Sequence, residues 1–386
     1  MISKNKRTIP WIIEEQTKIK HELLKKYISP WMSILFRAQD KLKIKNTLIY
    51  IDGFSGPGIY YSDSKKQNVC DGSPLIVAKK VNEYIEKKES RKVLIYCIDE
   101  NQECTDILKR ELDKINKYRQ DWKVYNGEFS NKILYVLKDI ETKKLTGFPK
   151  FIFIDPFGYS GYPISLLQQL LSYRMSELFI NFMIYDIIRF CSESQFEKKL
   201  IEQFGNDQFK KIERLETPEQ KHIYLRNLYC ENLKDIAQAQ FVMPFRINTP
   251  GQRRRPRYYL IHASKNYKAL KVMKDEMYSI SDSPYIFEAI GVKTPQLNLF
   301  DDPSKIDLEK NIINFCKNNC LKESKDYGEI ERWAYINTTG VSKTIKKTLI
   351  KLENKSIIEI ERKEGQQKNT VTAGAKILFH RNKKNE

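Results

Sequence analysis

Four apolar runs, each closed by a polar or acidic residue, constrain the fold of this chain more than any other feature. The runs are TLIYI, KVLIYCI, WKVY and KFIFI, and a stretch of helical periodicity follows each of the first three. A run without polar alternation is typical of a strand buried on both faces. Strands that alternate with helices indicate a parallel sheet. A fifth run, SELFINF, continues the series, so the sequence predicts a doubly wound α/β domain.

Two further β-like runs, QFVMPFRI and RYYLIHAS, flank a short loop and predict an antiparallel hairpin. A parallel sheet that ends in such a hairpin is the strand plan of Rossmann-like methyltransferases. We expect this domain, with an N-terminal helix and a helical insertion around 184–237, to span residues 1–293.

The end of the chain has a pattern of its own. We expect a polar linker over 294–305 and a second domain over 306–386, where three helical patterns precede two strand patterns. That order predicts a winged helix-turn-helix, whose third helix would enter a nucleic-acid groove. A winged helix that docks a protein is the alternative.

The charge of the chain points to a polyanionic partner. Lys and Arg number 68 against 49 Asp and Glu, a net charge of +19. Such a surface supplies salt-dependent affinity for nucleic acid, although a generally Lys-rich composition would give the same excess. No apolar run is long enough to span a membrane. The apolar run in the basic N-terminal segment is too short for a signal peptide. We therefore expect a cytoplasmic protein, with seven scattered free cysteines and no metal site.

The first strand runs directly into a glycine-rich turn, YIDGFSGPG. Its spacing is G-x-x-G-x-G, which is neither the dinucleotide fingerprint nor a P-loop. We expect a ligand to approach the backbone closely, with an anionic group bound by amide N–H groups between Phe54 and Gly58. The polar stretch 59–72 after it is interpreted as a loop insertion.

The acids at the other strand ends suit a nucleoside. Asp99 is acceptor-only and can take hydrogen bonds from both ribose hydroxyls. Glu128, with Phe129 beside the ring, could accept from an adenine amine. In the step Asp155, Pro156, Phe157, the carboxylate and the proline carbonyl could orient an amine toward an electrophilic methyl group, with Phe157 or Tyr159 stacking on a base. A tight turn without function is the alternative for this step.

Four segments together resemble the three-Cys-motif partner protein family: KHELLKKYISPWMSIL, YIDGFSGPGIY, DGSPLIVAKK and FIFIDPFGYSGYPI. The resemblance implies a Rossmann-like fold related to S-adenosylmethionine-dependent methyltransferases, distantly similar to the bacterial large-subunit ribosomal RNA adenine-N6 methyltransferase. It also implies a partner protein encoded nearby.

The resemblance assigns residues to the cofactor. Those that match the first methyltransferase motif, around the methionine part, are Asp52, Gly53, Phe54, Gly56 and Gly58. Lys20 and His21 match a Lys-His pair that would reach the cofactor carboxylate, although a surface role for His21 stays open. The family's Asp-Pro-Phe-Gly, here 155–158, departs from the Asp-Pro-Pro-Tyr of adenine-N6 enzymes, which puts N6 chemistry in doubt.

Two basic clusters are the candidates for binding nucleic acid. They are Arg253, Arg254, Arg255 and Arg257 in the hairpin, and Lys343, Lys346 and Lys347, with Lys351, in the last helix. Asp186 and Arg189 would border the substrate entrance or form an ion pair that holds a helix. The leading hypothesis is a methyltransferase that uses S-adenosylmethionine on RNA or DNA. The alternative is a catalytically silent module that works with a partner protein.

Overall fold

The structure, a computed structural model, describes residues 9–88, 90–116, 121–158, 160–249, 252–281, 286–287, 308–320 and 323–380. Side chains of residues 249, 252–255 and 286–287 are outside this description. The chain divides into two compact units, Met1–Tyr285 and Ile286–Glu386. The expected linker over 294–305 lies outside the described residues.

In the described residues of the first unit, seven strands lie in one sheet. Its strands are β1 (Thr47–Asp52), β4 (Lys92–Asp99), β5 (Asp121–Asn126), β6 (Lys150–Ile154), β7 (Ser176–Phe182), β8 (Phe241–Thr249) and β9 (Gln252–Ser264). They lie in the order β8-β9-β7-β6-β1-β4-β5. All neighbours from β7 to β5 pair in parallel, and β9 is antiparallel to both of its neighbours. The predicted α/β fold with a mostly parallel sheet is confirmed. A separate hairpin, β2 (Ile59–Tyr61) and β3 (Val69–Asp71), follows β1.

Helices cover both faces of this sheet. They are α1 (Glu15–Lys41), α2 (Ser73–Lys87), α3 (Gln102–Ile115), α4 (Phe129–Thr142), α5 (Ile164–Ser172), α6 (Ile184–Phe190), α7 (Ser194–Phe204), α8 (Pro218–Asp235) and α9 (Tyr267–Ser279), with a 3-10 helix over Gln208–Arg214. Helix α1 contacts α2 and α9, while α5, α7 and α8 contact one another. Every residue of β1, β6 and β7 is buried, as continuous apolar runs predict. In the part of the chain that is described, no helix is long and apolar enough to cross a membrane.

A buried carboxylate attaches α1 to the sheet. Glu177, near the start of β7, accepts hydrogen bonds from the Tyr27 hydroxyl and, at 3.2 Å, from the Trp31 indole N–H. The His262 Nε2 atom on β9 lies 3.2 Å from the same carboxylate. A buried charge is tolerated only where such partners replace water, so this cluster fixes where α1 lies on the sheet.

The second unit contains a two-residue strand β10 (Ile286–Phe287), helices α10 (Leu308–Asn319), α11 (Tyr327–Asn337) and α12 (Ser342–Asn354), and strands β11 (Lys325–Asp326), β12 (Ile358–Glu361) and β13 (Lys376–Phe379). The last three strands form an antiparallel sheet in the order β11-β13-β12. Glu331 on α11 accepts from the Ser342 hydroxyl at 2.5 Å and thereby joins α11 to the start of α12.

Removing the Tyr27 hydroxyl tests the role of the Glu177 cluster. Tyr27→Phe leaves a buried carboxylate short of one donor, so we expect the free energy of unfolding to fall by about 1–3 kcal/mol. Tyr278→Phe, on the exposed side of α9, is the matched control and is expected to change stability by less than about 0.5 kcal/mol. Urea unfolding of the full chain measures both, and equal midpoints for the two variants would contradict the role assigned to Glu177.

Candidate functional site

Three aspartates meet at the carboxyl edge of the sheet. Asp52 and Asp99 are the last residues of β1 and β4, and Asp155 comes directly after β6. These three strands are parallel neighbours, with β1 in the centre. The edge where parallel strands end is the usual ligand-binding edge of such a sheet.

The glycines after β1 are required by the chain itself. Gly56 and Gly58 have φ values of +57° and +74°, where only glycine is unstrained. A Cβ on Gly53 would lie 2.8 Å from the Phe129 ring, and one on Gly58 would lie 2.6 Å from Leu108. Protein side chains therefore account for the close approach to Gly53 and Gly58.

The expected anion-binding amides are mostly occupied. The Ser55 N–H donates to the Ile98 carbonyl at 2.9 Å, and the Gly56 N–H donates to Asp99 Oδ2 at 2.8 Å. The Phe54 amide interacts with the Asp52 carboxylate. For Ser55 and Gly56 the predicted contact with a ligand carboxylate is wrong, because the loop uses these two amides to attach itself to β4. For the Phe54 and Gly58 amides it stays a prediction.

Asp99 holds this loop in place. Its second oxygen accepts from the Asn101 N–H at 2.9 Å, and the residue is almost fully buried. Burial raises its pKa, and the two amide hydrogen bonds oppose that rise. Each carboxylate oxygen has two acceptor positions, so the contact to ribose hydroxyls stays a prediction that this geometry permits.

Asp52 carries an unsatisfied oxygen. Its Oδ2 accepts from the Tyr50 hydroxyl at 2.9 Å, and the Ser73 hydroxyl and the Phe54 N–H also stabilise the carboxylate. Among the described residues, however, no hydrogen bond of normal geometry reaches its Oδ1. The side chain is fully buried, and burial raises its pKa to about 7. A buried acceptor without a donor is costly, which makes this oxygen a candidate contact for a cationic ligand group.

Asp155 is held by two side chains. Lys20 on α1 donates to both of its oxygens at 2.7 Å, and the Asn181 amide on β7 donates to Oδ1 at 2.6 Å. The Lys20 ammonium also lies 5.4 Å from the centre of the Tyr258 ring. The contact between Lys20 and Asp155 was not foreseen from the sequence, and the predicted contact of Lys20 with a cofactor stays a prediction.

His21 is buried beside this ion pair. Its pKa falls to about 4, mainly because burial disfavours the charged ring and also because Lys20 repels it. Among the described residues, none hydrogen-bonds to its Nδ1. The imidazole is therefore neutral at pH 7, buried inside the site rather than exposed on the surface of α1.

Aromatic rings cover the glycine loop. The segment before α1 pairs with β2, since the Tyr61 N–H donates to the Trp11 carbonyl at 2.8 Å. The Trp11 ring lies 3.4 Å from a Cβ built on Gly56 and packs edge-on against Phe157 at 5.0 Å. Phe157 is 77% exposed. An exposed ring next to Asp155 suits stacking on a planar ligand, which is the predicted role of Phe157.

The two residues that were predicted to lie beside the adenine differ in their exposure to solvent. Glu128 is exposed and accepts from the Asn131 amide at 3.0 Å. Phe129 is buried, and its ring packs 5.3 Å from that of Phe54. The Phe129 ring fills the space above Gly53, and its place beside a ligand ring stays a prediction.

The basic residues of the hairpin are only partly described. Arg253, Arg254 and Arg255 lie on β9, and their side chains are outside the described residues. The Arg257 guanidinium lies 5.2 Å from the centre of the Tyr185 ring. Burial raises the pKa of Asp186, while Arg257 and Arg189 lower it. Tyr185, Asp186 and Arg189 lie on α6, which begins just after β7, and Arg257 lies on β9.

The lysines of α12 fall into two groups. Lys343 and Lys347 are exposed, and the Lys346 ammonium lies over the Tyr327 ring. Lys351 pairs with Glu309 on α10 at 2.5 Å, as Lys355 does. Lys351 and Lys355 are exposed as well, so the positive charge that Glu309 does not offset lies toward the N-terminal half of this helix.

Sequence reasoning missed three residues of the first unit's site: Trp11, Tyr60 and Asn181. The signal available for Asn181 was a polar residue that interrupts the apolar stretch LFINF. In the described ranges, no three His, Cys, Asp or Glu side chains are grouped as a metal site would require.

Comparisons with known proteins give distant likenesses only. No family model matches the chain, and no curated protein matches it. A DUF519-family protein from Legionella pneumophila strain Philadelphia 1 is similar in structure at 11% identity and a TM-score of 0.39. That match covers 68% of this chain and 91% of the other. MnmC2 from Aquifex aeolicus matches at 13% identity and a TM-score of 0.30, over 64% of this chain and 60% of the other.

The raised pKa of the buried Asp52 makes the free energy of unfolding depend on pH. Its pKa is about 7 in the folded chain and about 3.8 when unfolded, so the folded chain retains a proton that the unfolded chain releases. The resulting stability is complete below about pH 3.8 and is lost as the pH rises through 7. We compare the free energy of unfolding of Asp52→Asn with that of the unmodified chain at each pH. This difference should favour the variant by roughly 2–3 kcal/mol more at pH 8 than at pH 5.

Asp139 provides the control for this measurement. Lys123, Tyr96 and Lys143 lower its pKa to about 2 against the effect of burial, so it is ionised at both pH values. Asp139→Asn should therefore change stability equally at pH 5 and pH 8. Urea unfolding at the two pH values gives both numbers, and an equal effect of Asp52→Asn at each pH would contradict the raised pKa.

Proposed function

We propose that the first unit is an S-adenosylmethionine-dependent methyltransferase that acts on nucleic acid. The observation that carries this proposal is Asp155, fixed by Lys20 and Asn181 at the carboxyl end of β6 beside a glycine loop. The sheet order, with antiparallel β9 between β7 and β8, is the strand plan of Rossmann-like methyltransferases. The resemblance to the three-Cys-motif partner family supports the same proposal.

The residues at the strand ends fit the cofactor. The unsatisfied Asp52 Oδ1 suits the cationic amine of its amino-acid end, and Asp99 suits the ribose hydroxyls. When bound, S-adenosylmethionine supplies an electrophilic methyl group on a sulfonium. Trp11 and Tyr60, which lie over the glycine loop, would shield the cofactor from water, and the residues at the strand ends would position both reactants.

Asp155 would orient the acceptor. Lys20 and Asn181 together fill the acceptor positions on Oδ1, whereas Oδ2 takes one hydrogen bond and retains one position. An amine or hydroxyl that donates there, next to the Pro156 carbonyl and the Phe157 ring, would be held for in-line transfer. No covalent intermediate is needed.

The second unit would bind the nucleic-acid substrate. Its order of helix, strand, two helices and two strands supports a winged helix, and α12 would be the helix that enters a groove. The net charge of +19 supports a polyanionic substrate.

A silent binding module that works with a partner protein is the second candidate. The observation that favours it is the same ion pair, because Lys20 neutralises the residue that would act on the acceptor. Trp11 and Tyr60 also lie directly over the loop where the cofactor would bind. The two candidates differ in whether Asp155 contributes to methyl transfer.

A transfer assay separates these candidates. The full chain, given methyl-labelled S-adenosylmethionine and pools of RNA and DNA, should label one pool. Asp155→Ala should lower that labelling by about 100-fold or more, because the acceptor loses its alignment, while calorimetry shows unchanged cofactor affinity. Asp121→Ala, at the opposite end of the sheet, is the control and should retain activity. Equal labelling by Asp155→Ala and Asp121→Ala would exclude the assigned role of Asp155.

The role of α12 has its own test. Replacing Lys343 and Lys347 by Gln should lower nucleic-acid affinity and reduce the slope of log affinity against log salt by about 2. The matched pair, Lys351 and Lys355 replaced by Gln, loses the same charge from residues already bound to Glu309, so its slope should change less. Filter binding over a salt series measures both slopes. If both double variants change the slope equally, α12 is not the contact surface.

A further inference from the structure

We propose that Tyr60 binds the carboxylate of the cofactor's amino-acid end. This inference rests on the proposed function and adds to it a contact that the sequence did not indicate. The segment 59–72, interpreted from sequence as a loop insertion, instead forms the β2–β3 hairpin directly after Gly58.

The hairpin puts the Tyr60 phenol at the turn of the glycine loop. A Cβ on Gly56 would lie 3.8 Å from the Tyr60 hydroxyl, and a Cβ on Gly72 would lie 3.0 Å from the Tyr60 ring. The ring also packs 5.5 Å from His21 and 6.2 Å from Trp11. The hydroxyl therefore lies where the motif around Gly56 would meet the methionine part of the cofactor.

The phenol is a neutral donor among carboxylates. Burial raises the pKa of Tyr60 most, followed by the charges of Asp155, Asp52 and Asp99. All three strand-end acids thus lie close enough to act on this hydroxyl. It stays protonated at neutral pH and can donate one hydrogen bond.

A carboxylate entering this site needs such a donor. The Ser55 and Gly56 amides are already used within the chain, and Lys20 is paired with Asp155. Lys20 offsets the charge of Asp155, but Asp52 and Asp99 would repel a second anion unless a donor faced it. Tyr60, with the neutral His21 ring beside it, supplies that donor, while Asp52 Oδ1 faces the neighbouring ammonium group.

The test compares two ligands that differ only in the carboxylate. Calorimetry gives the affinities of the full chain and of Tyr60→Phe for S-adenosylmethionine and for decarboxylated S-adenosylmethionine. A lost hydrogen bond to a charged group should weaken binding of the first ligand by about tenfold or more. Binding of the second ligand should be the same in both proteins.

Tyr61→Phe is the matched control. Tyr61 is the next residue of β2, so its side chain points to the opposite face of the hairpin, where its ring contacts Lys66. This variant should bind both ligands as the unmodified chain does, which shows that the hairpin tolerates loss of a hydroxyl.

The other outcomes of this experiment contradict either the role of Tyr60 or the proposed cofactor. If Tyr60→Phe weakens both ligands equally, or neither, Tyr60 does not bind the carboxylate, and the proposed function stands without it. If the unmodified chain binds neither ligand, the proposed cofactor fails, and the assignment of Tyr60 fails with it.

Discussion

The ion pair between Lys20 and Asp155 is the contact on which the site depends. It joins the first long helix to the central strands, and both partners are largely shielded from water. Burying two charges is costly unless further hydrogen bonds satisfy them. Asn181 donates to Asp155, and the Tyr258 ring faces the ammonium, so the pair is supported from β7 and β9. The orientation of Asp155 thus depends on the helix α1 and on the two strands β7 and β9.

The ends of the strands could be predicted from the sequence, because a strand that is buried on both faces is a continuous apolar run. The runs before Asp52, Asp99 and Asp155 are continuous and apolar, and parallel strands bring their carboxyl ends together. The glycine-rich loop after β1 was also predicted, but the reason why it needs glycines differs in part from the predicted one. Phe129 and Leu108, both from helices that follow later in the chain, occupy the space that a ligand was expected to need.

The partners of these residues could not be predicted. Which group Lys20 meets depends on the rotation of α1, and Glu177 fixes that rotation from the other end of the sheet. Tyr60 reaches the site because β2 pairs both with β3 and with the segment before α1, a pairing with no local sequence signal. Asn181 was visible as a polar residue in an apolar strand, but its contact with Asp155 follows from the register of β6 and β7.

Binding of S-adenosylmethionine to the full chain tests the central claim most directly. A calorimetric titration should show one site per chain with micromolar affinity. Asp99→Ala should weaken binding at least about tenfold, because the proposal assigns to this carboxylate the hydrogen bonds from the ribose hydroxyls. Absence of heat at millimolar cofactor would contradict the account, and would leave the three aspartates as the framework of a binding module.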